Sequence, residues 1–375
     1  MNHYDLIIIG GGLAGLTAAL HVSKANYKVL LIEKYSYPNH KVCGEYVSKE
    51  IIPYLNRLDV SLEKAGAVSI DKFMLSTKEG AYTQTTLPLG GLGISRYAFD
   101  ELLYNHALTA GAEFVFDTVT TVTYHNETFH IKTASNIEFT ATTAIGAFGK
   151  RSNLDKKLDR DFMHLKSNWL GVKAHYQLES FPDDLVALHN FEGGYGGLSK
   201  TETGAVNFCY LTTYKSFEQY NNIDAFNNEV VAKNPFLNEF LEKSVPLFEK
   251  PISIAQISFR QKLPVENHLL MCGDAAGLIH PLCGNGMAMA IHSAKIASEL
   301  ILLFLSGKIE DRKVLEKTYS NLWNTTFRRR LWMGRKLQSL LLSPTSAKYA
   351  MRLASSAPPL LRGLISYTHG KPIAC

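Results

Sequence analysis

The chain has 375 residues, 46% hydrophobic and 19% charged, with 27 Gly, 13 Pro and a net charge of +5. These proportions exclude collagen-like, disordered and disulfide-scaffold proteins and allow two domains that share an interface. The five cysteines (Cys43, Cys209, Cys272, Cys283, Cys375) include no C-x-x-C pair, so a reducing, cytoplasmic compartment is expected.

Residues 4–33 predict strand, turn, helix, strand: Leu6-Ile7-Ile8-Ile9, then Gly10-x-Gly12-x-x-Gly15, a helix through Ala18 to Val22, and Val29 to Glu33. The first glycine makes a tight turn, the second lets backbone approach a pyrophosphate, and the third lets helix pack on strand. N–H groups at the helix start, at Leu13 and Ala14, then face phosphates. Glu33 ends the second strand 18 residues past Gly15, where its carboxylate can accept the ribose hydroxyls of an adenosine, with Lys34 beside it. The apolar opening is not read as a signal peptide, because it lacks a basic start, carries Asp5 and is broken by four glycines at Gly10, Gly11, Gly12 and Gly15.

No other glycine cluster repeats this pattern. Gly90-Gly91-Leu92-Gly93 and Gly193-Gly194-Tyr195-Gly196-Gly197 lack the strand–helix context, so a second stably bound dinucleotide is not expected. Lys150 and Arg151 can attract a phosphate. In residues 155–262, Leu170, Val172, Ala174, Tyr176 and Leu178 alternate, as do Val206, Phe208 and Tyr210, which predicts half-buried strands forming a sheet over the nucleotide. Pro235 divides the helical pattern between Ala225 and Leu241 into two short helices.

A second fingerprint follows at residues 268–287. An apolar strand ends in Gly273-Asp274, and Pro281-x-x-Gly284-x-Gly286-Met287 opens a helix of small residues that Gly307 can cap. Asp274 can bond a ribityl hydroxyl, and the N–H groups near Gly284, Gly286 and Met287 can stabilise negative charge on a reduced isoalloxazine. This pattern suits FAD. The 13 histidines are dispersed, with no metal-ligand spacing and no Gly-x-Ser-x-Gly elbow, so no metal is expected.

The tail carries the charge. From Lys317 onward there are ten Lys/Arg and no Asp or Glu, which leaves residues 1–316 with 29 basic against 34 acidic side chains. Tyr319, Trp323, Phe327 and Leu331 recur at helical spacing, followed by Met333, Leu337, Leu340 and Leu341, while Pro344 and Pro358-Pro359 start new segments. Three readings stay open: a helical cap with a solvated basic face, a peripheral contact with the inner membrane face, or a site for a diphosphate or acidic carrier protein. Nucleic acid is not expected.

Together, Gly10 to Glu33, Gly273-Asp274 and Pro281 to Gly286 resemble the FAD-binding superfamily of the para-hydroxybenzoate hydroxylase type. That group includes aromatic monooxygenases, flavin-dependent halogenases and geranylgeranyl reductases. The resemblance implies that Arg96, which opens a helix in Ile94 to Leu102, contacts FAD, and that Val119 lies against the adenine. Lys41-Val42-Cys43-Gly44-Glu45 is similar to the Lys-x-Cys-Gly segment of the geranylgeranyl reductases. This implies Lys41 and Gly44 near the cofactor, Cys43 as the catalytic candidate and Glu45 on the substrate side; Cys43 can instead be a packing cysteine, and Glu45 solvated. Tyr195 stands near that branch's substrate-binding Tyr-x-Trp-x-Phe-Pro element, of which only the tyrosine survives, and it can equally be a core strand residue.

Two departures bear on the reaction. The monooxygenases carry Asp-Gly where this chain has Phe148-Gly149, which puts their manner of nicotinamide binding in doubt, and the Trp-x-Trp-x-Ile-Pro segment of halogenases is absent. The expected fold is α/β (α+β): a Rossmann-like FAD-binding domain (1–66, 94–154, 261–310), an antiparallel β-sheet substrate domain (67–93, 155–260) and a basic C-terminal helical region (311–375). The expected activity is that of an FAD-dependent oxidoreductase on an isoprenoid or polyketide-like substrate. Reduction of a C=C bond by flavin hydride is favoured slightly over aromatic hydroxylation through a C4a-hydroperoxide; a halogenase or a non-enzymatic flavoprotein is the weak third. Electrons would come from transiently bound NAD(P)H or a partner reductase.

Overall fold

The central strand, Asn2–Ile9, lies between two parallel neighbours. Leu6 to Ile9 pair with Val29 to Ile32 on one side, and Thr143 to Gly146 flank the same residues on the other. Strands covered by helices on both faces are apolar throughout, and Leu6, Ile7 and Ile8 are fully buried. In this computed structural model the described residues are 2–150, 152–164, 167–220, 222–279, 284–342, 346 and 358–374; Arg151, the stretch from His280 to Cys283, Pro344 and Cys375 lie outside them.

The first sheet has eight strands. Its path runs Val265–Glu266, Leu269–Met271, Glu138–Gly146, Asn2–Ile9, Val29–Glu33, Glu113–Phe116, with the hairpin of Val119–His125 and Thr128–Thr133 attached to Glu138–Gly146. Helices Leu13–Ser23 and Gly286–Leu305 pack together beside it. The second of these is long and apolar enough to cross a membrane, but more than half of its span is buried in the protein, as a core helix requires.

A nine-stranded second sheet has the order Val245–Pro246, Trp169–Gln177, Val206–Thr213, Gly194–Lys200, Leu185–Phe191, Val68–Ser76, Tyr82–Gly93, Tyr46–Ser48, and Ile252–Ala255 also pairs with Trp169–Gln177. It departs from the expected antiparallel form at one seam, where Leu185–Phe191 runs parallel to Val68–Ser76. That seam joins two pieces far apart in sequence, so no hairpin turn imposes antiparallel pairing there. Strand Tyr46–Ser48, from the first segment of the chain, also joins this sheet. The strand Trp169–Gln177 was expected to be half-buried; instead its alternate face is buried too, because Lys173 and His175 turn inward onto a carboxylate. Pro235 opens the helix Pro235–Lys243 at its first position, with the Asn234 side chain accepting from Phe236 N and Leu237 N, as the two-helix reading anticipated.

The tail divides between the two sheets. The long helix Arg312–Leu342 buries Leu315, Tyr319, Trp323, Phe327 and Leu331 in the core of the first sheet and its helices. The terminal helix Pro358–Thr368 instead packs Leu361 and Ile365 against Tyr46, Ile70 and Leu87 of the second. Glu50 ties these parts: its carboxylate accepts from Asn285 Nδ2 at 3.1 Å and pairs with Arg330 at 3.3 Å, and its carbonyl accepts from Ile373 N at 2.8 Å. Burial pushes this carboxyl up, and Arg330 and Asn285 oppose the rise. Removing one partner of a buried pair strands the other. Arg330→Ala is therefore expected to lower stability by about 3 kcal/mol and to open the C-terminus to protease, measured by urea unfolding and limited proteolysis; an unchanged midpoint would show the tail to be held otherwise.

Candidate flavin and substrate site

Two helices begin at one cavity, and among the described residues neither start is capped by its N-cap side chain. The helix Leu13–Ser23 follows Gly12, and the 20-residue helix Gly286–Leu305 follows Asn285; among the described residues, neither N-cap position supplies a side-chain bond to the first N–H groups. Elsewhere Ser95, Ser152, Asn222 and Asn234 do cap their helices. The first N–H groups of a helix need acceptors, and uncapped starts are ready anion sites. Gly10, at φ +103°, and Gly15 make the first start: a Cβ at Gly10 would collide with Ala147 O, and one at Gly15 with Gly10 O.

The cavity measures about 1200 Å³, beyond the roughly 1000 Å³ upper range of small-ligand pockets. Its wall includes Gly10, Gly12, Leu13, Ala14, Glu33, Lys34, Lys41, Cys43, Gly44, Arg96, Val119, Tyr195, Gly273, Asp274, Gly284, Gly286 and Met287. The structure thus brings together residues up to 277 positions apart in the chain. Gly15 and Glu45 are the exceptions. Gly15 contributes packing of helix on strand rather than a cavity surface.

At the nucleotide end, the Glu33 carboxylate accepts from the backbone N–H of Gly11 and, at 2.9 Å, of Lys34, which fixes its orientation at the strand end. Arg96 forks onto Asp100 with two contacts of 2.8 Å, and Lys41 adds a third at 2.8 Å. Asp100 is fully buried. Burial alone would raise its carboxyl, but Arg96 and then Lys41 outweigh it and hold it low. The pair of cations is thereby positioned on the wall with one anion beneath. Lys262, pushed down to about 8 by burial, donates to Asp274 O at 2.8 Å and Lys150 O at 3.0 Å, joining the second fingerprint to the Phe148-Gly149 turn.

Past the loop carrying Cys43 the wall becomes apolar. Tyr195, Leu211, Ile257 and Leu278 form one buried cluster along it. Tyr195 is 4% exposed, so it is at once a strand core residue and a cavity residue. The tail closes one side with Ile365 and His369, the latter within 3.2 Å of Tyr46 Oη. Nothing in a local motif marks these two residues.

Glu45 corrects the substrate-side expectation, for it is neither solvated nor on the cavity wall. It is fully buried, at φ +53°, with its oxygens taken by Lys173, by His175 at 2.6 Å and by Arg96 N at 2.7 Å. The left-handed backbone after Gly44 sends the side chain into the second sheet. His40, Glu45 and His175 bring one ligand atom each within 4.8 Å of one another, a set invisible to sequence spacing. The Lys173 ammonium already stands against Glu45, so a metal ion there would have to displace a buried cation.

The donors, the acidic strand end and the long cavity fit a flavin dinucleotide. A family described as an FAD binding domain matches residues 3–321, and the chain belongs to it: this is an FAD-dependent oxidoreductase. It is 28% identical over 334 residues to an uncharacterised protein of Methanosarcina barkeri, covering 85% of this chain and 80% of that protein. It is 25% identical over 350 residues to a digeranylgeranylglycerophospholipid reductase of Methanosarcina mazei, covering 87% and 81%. Among solved structures, a flavin-dependent brominase superposes with a TM-score of 0.80 at 18% identity, covering 98% of this chain and 94% of that one, a likeness of fold.

Acid should weaken this site. Asp100 and Glu45 both have depressed carboxyl pKa values, despite burial, through Arg96 with Lys41 and His175 with Lys173 respectively. Their stabilisation is present above the unfolded value of about 4 and lost as pH falls through the lower folded values. Melting between about pH 3 and pH 7 should show a steep acid limb; Asp100→Asn should flatten it and cost about 3 kcal/mol at neutral pH. An identical acid limb in the variant would deny Asp100 this role.

Proposed function

We propose that the protein reduces a carbon–carbon double bond in a hydrophobic substrate, isoprenoid or polyketide-like. The observation that carries this reading is the continuity of the cavity, from two open helix starts to a wall of Leu188, Tyr195, Leu211, Ile257 and Leu278 without a charged side chain among them. FAD, when bound and reduced, supplies the hydride, and NAD(P)H or a partner reductase supplies its electrons. The chain's own work is to hold the olefin against the flavin, keep water out and deliver one proton.

The apolar cluster around Tyr195 and the closing residues Ile365 and His369 do the first two. For the proton we assign Cys43 Sγ, a half-buried thiol on the wall whose backbone is pinned to the second sheet by Asn207 Nδ2 donating to Cys43 O at 3.2 Å. Phe148, where hydroxylases of this superfamily place a carboxylate, lines the same cavity and favours reduction over their chemistry. The likeness to the glycerophospholipid reductase of Methanosarcina mazei supports the same reading.

The test is anaerobic turnover. Dithionite-reduced, FAD-loaded enzyme given polyprenyl and polyene candidates should yield product two hydrogens heavier. Cys43→Ala should keep its FAD and lose about a hundredfold in turnover. Product formed only in air, with an oxygen atom from labelled O₂, would replace reduction by aromatic hydroxylation; full turnover in the variant would remove Cys43 from the chemistry.

A further inference from the structure

Leu278 has two faces. It lines the flavin cavity and also a second groove of about 450 Å³, which lies between the long helix Arg312–Leu342 and the segments Arg260–Lys262 and Gly277–Leu278. The groove's wall carries Arg260, Lys262, Arg328, Arg329 and Arg335 and no carboxylate. Among the described residues no ion pair reaches the four arginines, whereas Arg330 on the same helix is neutralised by Glu50. The tail cannot supply an acid from elsewhere, since the chain has none after Glu316. Like charges gathered along one groove repel one another unless an anion joins them.

A second observation is independent of charge. Trp323, only 4% exposed, lines the groove, and its indole Nε1–H finds no acceptor among the described residues. Indole is a donor only, and a buried donor without an acceptor calls for an oxygen that is not part of the fold. Trp332 stands at the rim, 50% exposed, offering an apolar face to whatever the anion is attached to.

We propose that this groove binds a phosphate-class anion, a phosphate monoester or diphosphate, whose oxygens accept from the arginines and from Trp323 Nε1. Arginine forks match phosphate geometry, and the groove has room for more than a single small ion. Two sources share this chemistry. One is the head of an amphiphile whose chain passes Leu278 into the flavin cavity; the other is the phosphate of a nucleotide. The site itself does not depend on the double-bond reduction proposed above, so either can fail alone.

Calorimetry on FAD-loaded protein at low salt tests it, with inorganic pyrophosphate, dodecyl phosphate below its micellar concentration, and adenosine 2′,5′-bisphosphate as probes. At least one should bind saturably, and Arg260→Gln and the double variant Arg328→Gln/Arg335→Gln should each weaken it about tenfold or more. Arg260 belongs to a different segment from the helix, so a local defect in the helix cannot account for both losses. Arg362→Gln, which removes an exposed charge outside the groove, should leave binding unchanged. Dodecyl phosphate binding about tenfold tighter than pyrophosphate assigns the amphiphile, and preference for the bisphosphate assigns the nucleotide. No saturable heat with any probe overturns the proposal, as does an equal loss in Arg362→Gln, which would reduce the effect to bulk charge.

Discussion

Glu45 holds a left-handed backbone, with its carboxylate shared among Lys173, His175 and the N–H of Arg96. A buried carboxylate without partners is costly, and strain of this kind persists only where the surroundings enforce it. Lys173 and His175 come from strand Trp169–Gln177 of the second sheet, while the N–H comes from the helix Arg96–Thr109 beside the first. The pairing can therefore form only when the Lys41 to Glu45 loop is clamped between both sheets. Asn207, donating to Cys43 O at 3.2 Å, and Ser199, donating to Gly44 O at 3.4 Å, complete the clamp. The thiol and the glycine that border the cavity owe their position to this buried charge network.

The same economy recurs at the other ends of the cavity. Asp100 collects Arg96 and Lys41 beneath the nucleotide wall, and Glu50 collects Asn285 and Arg330 beside the second helix start. Each buried acid joins sequence-remote segments, and between them they define a cleft open to phosphate at one end and apolar at the other. The tail belongs to this construction in two ways: one helix completes the flavin-side core, and Ile365 of the other, with His369 just beyond its end, lines the cavity. Its basic charge is thus only partly a solvated surface, since Arg330 is structural and three further arginines, Arg328, Arg329 and Arg335, line a groove.

Local chemistry made much of this legible in advance. Gly10, Gly12 and Glu33 announce a nucleotide because their spacing follows from backbone geometry, and Gly273 to Met287 follow the same logic at the second helix. Lys41 to Gly44 and Tyr195 were found through resemblance, and the structure sets them on the cavity wall. Glu45 was misplaced because a single acidic letter carries no sign of the Lys173 and His175 that face it 128 and 130 residues later. The His40, Glu45 and His175 set, the Glu50 hub and His369 were missed for the same reason: each depends on contacts between remote segments, which periodicity and motif spacing do not encode. The parallel seam of the second sheet is a topological fact of that kind as well.

The central claim is that one cavity places FAD directly beside an apolar chamber. Titration of geranylgeraniol into FAD-loaded protein, followed through the visible absorption of the flavin, tests it most directly. One FAD per chain is expected, with a saturable shift of the flavin band as the prenyl chain fills the space beside it. Protein that takes up no FAD, or that binds the alcohol with the flavin band unmoved, would contradict it.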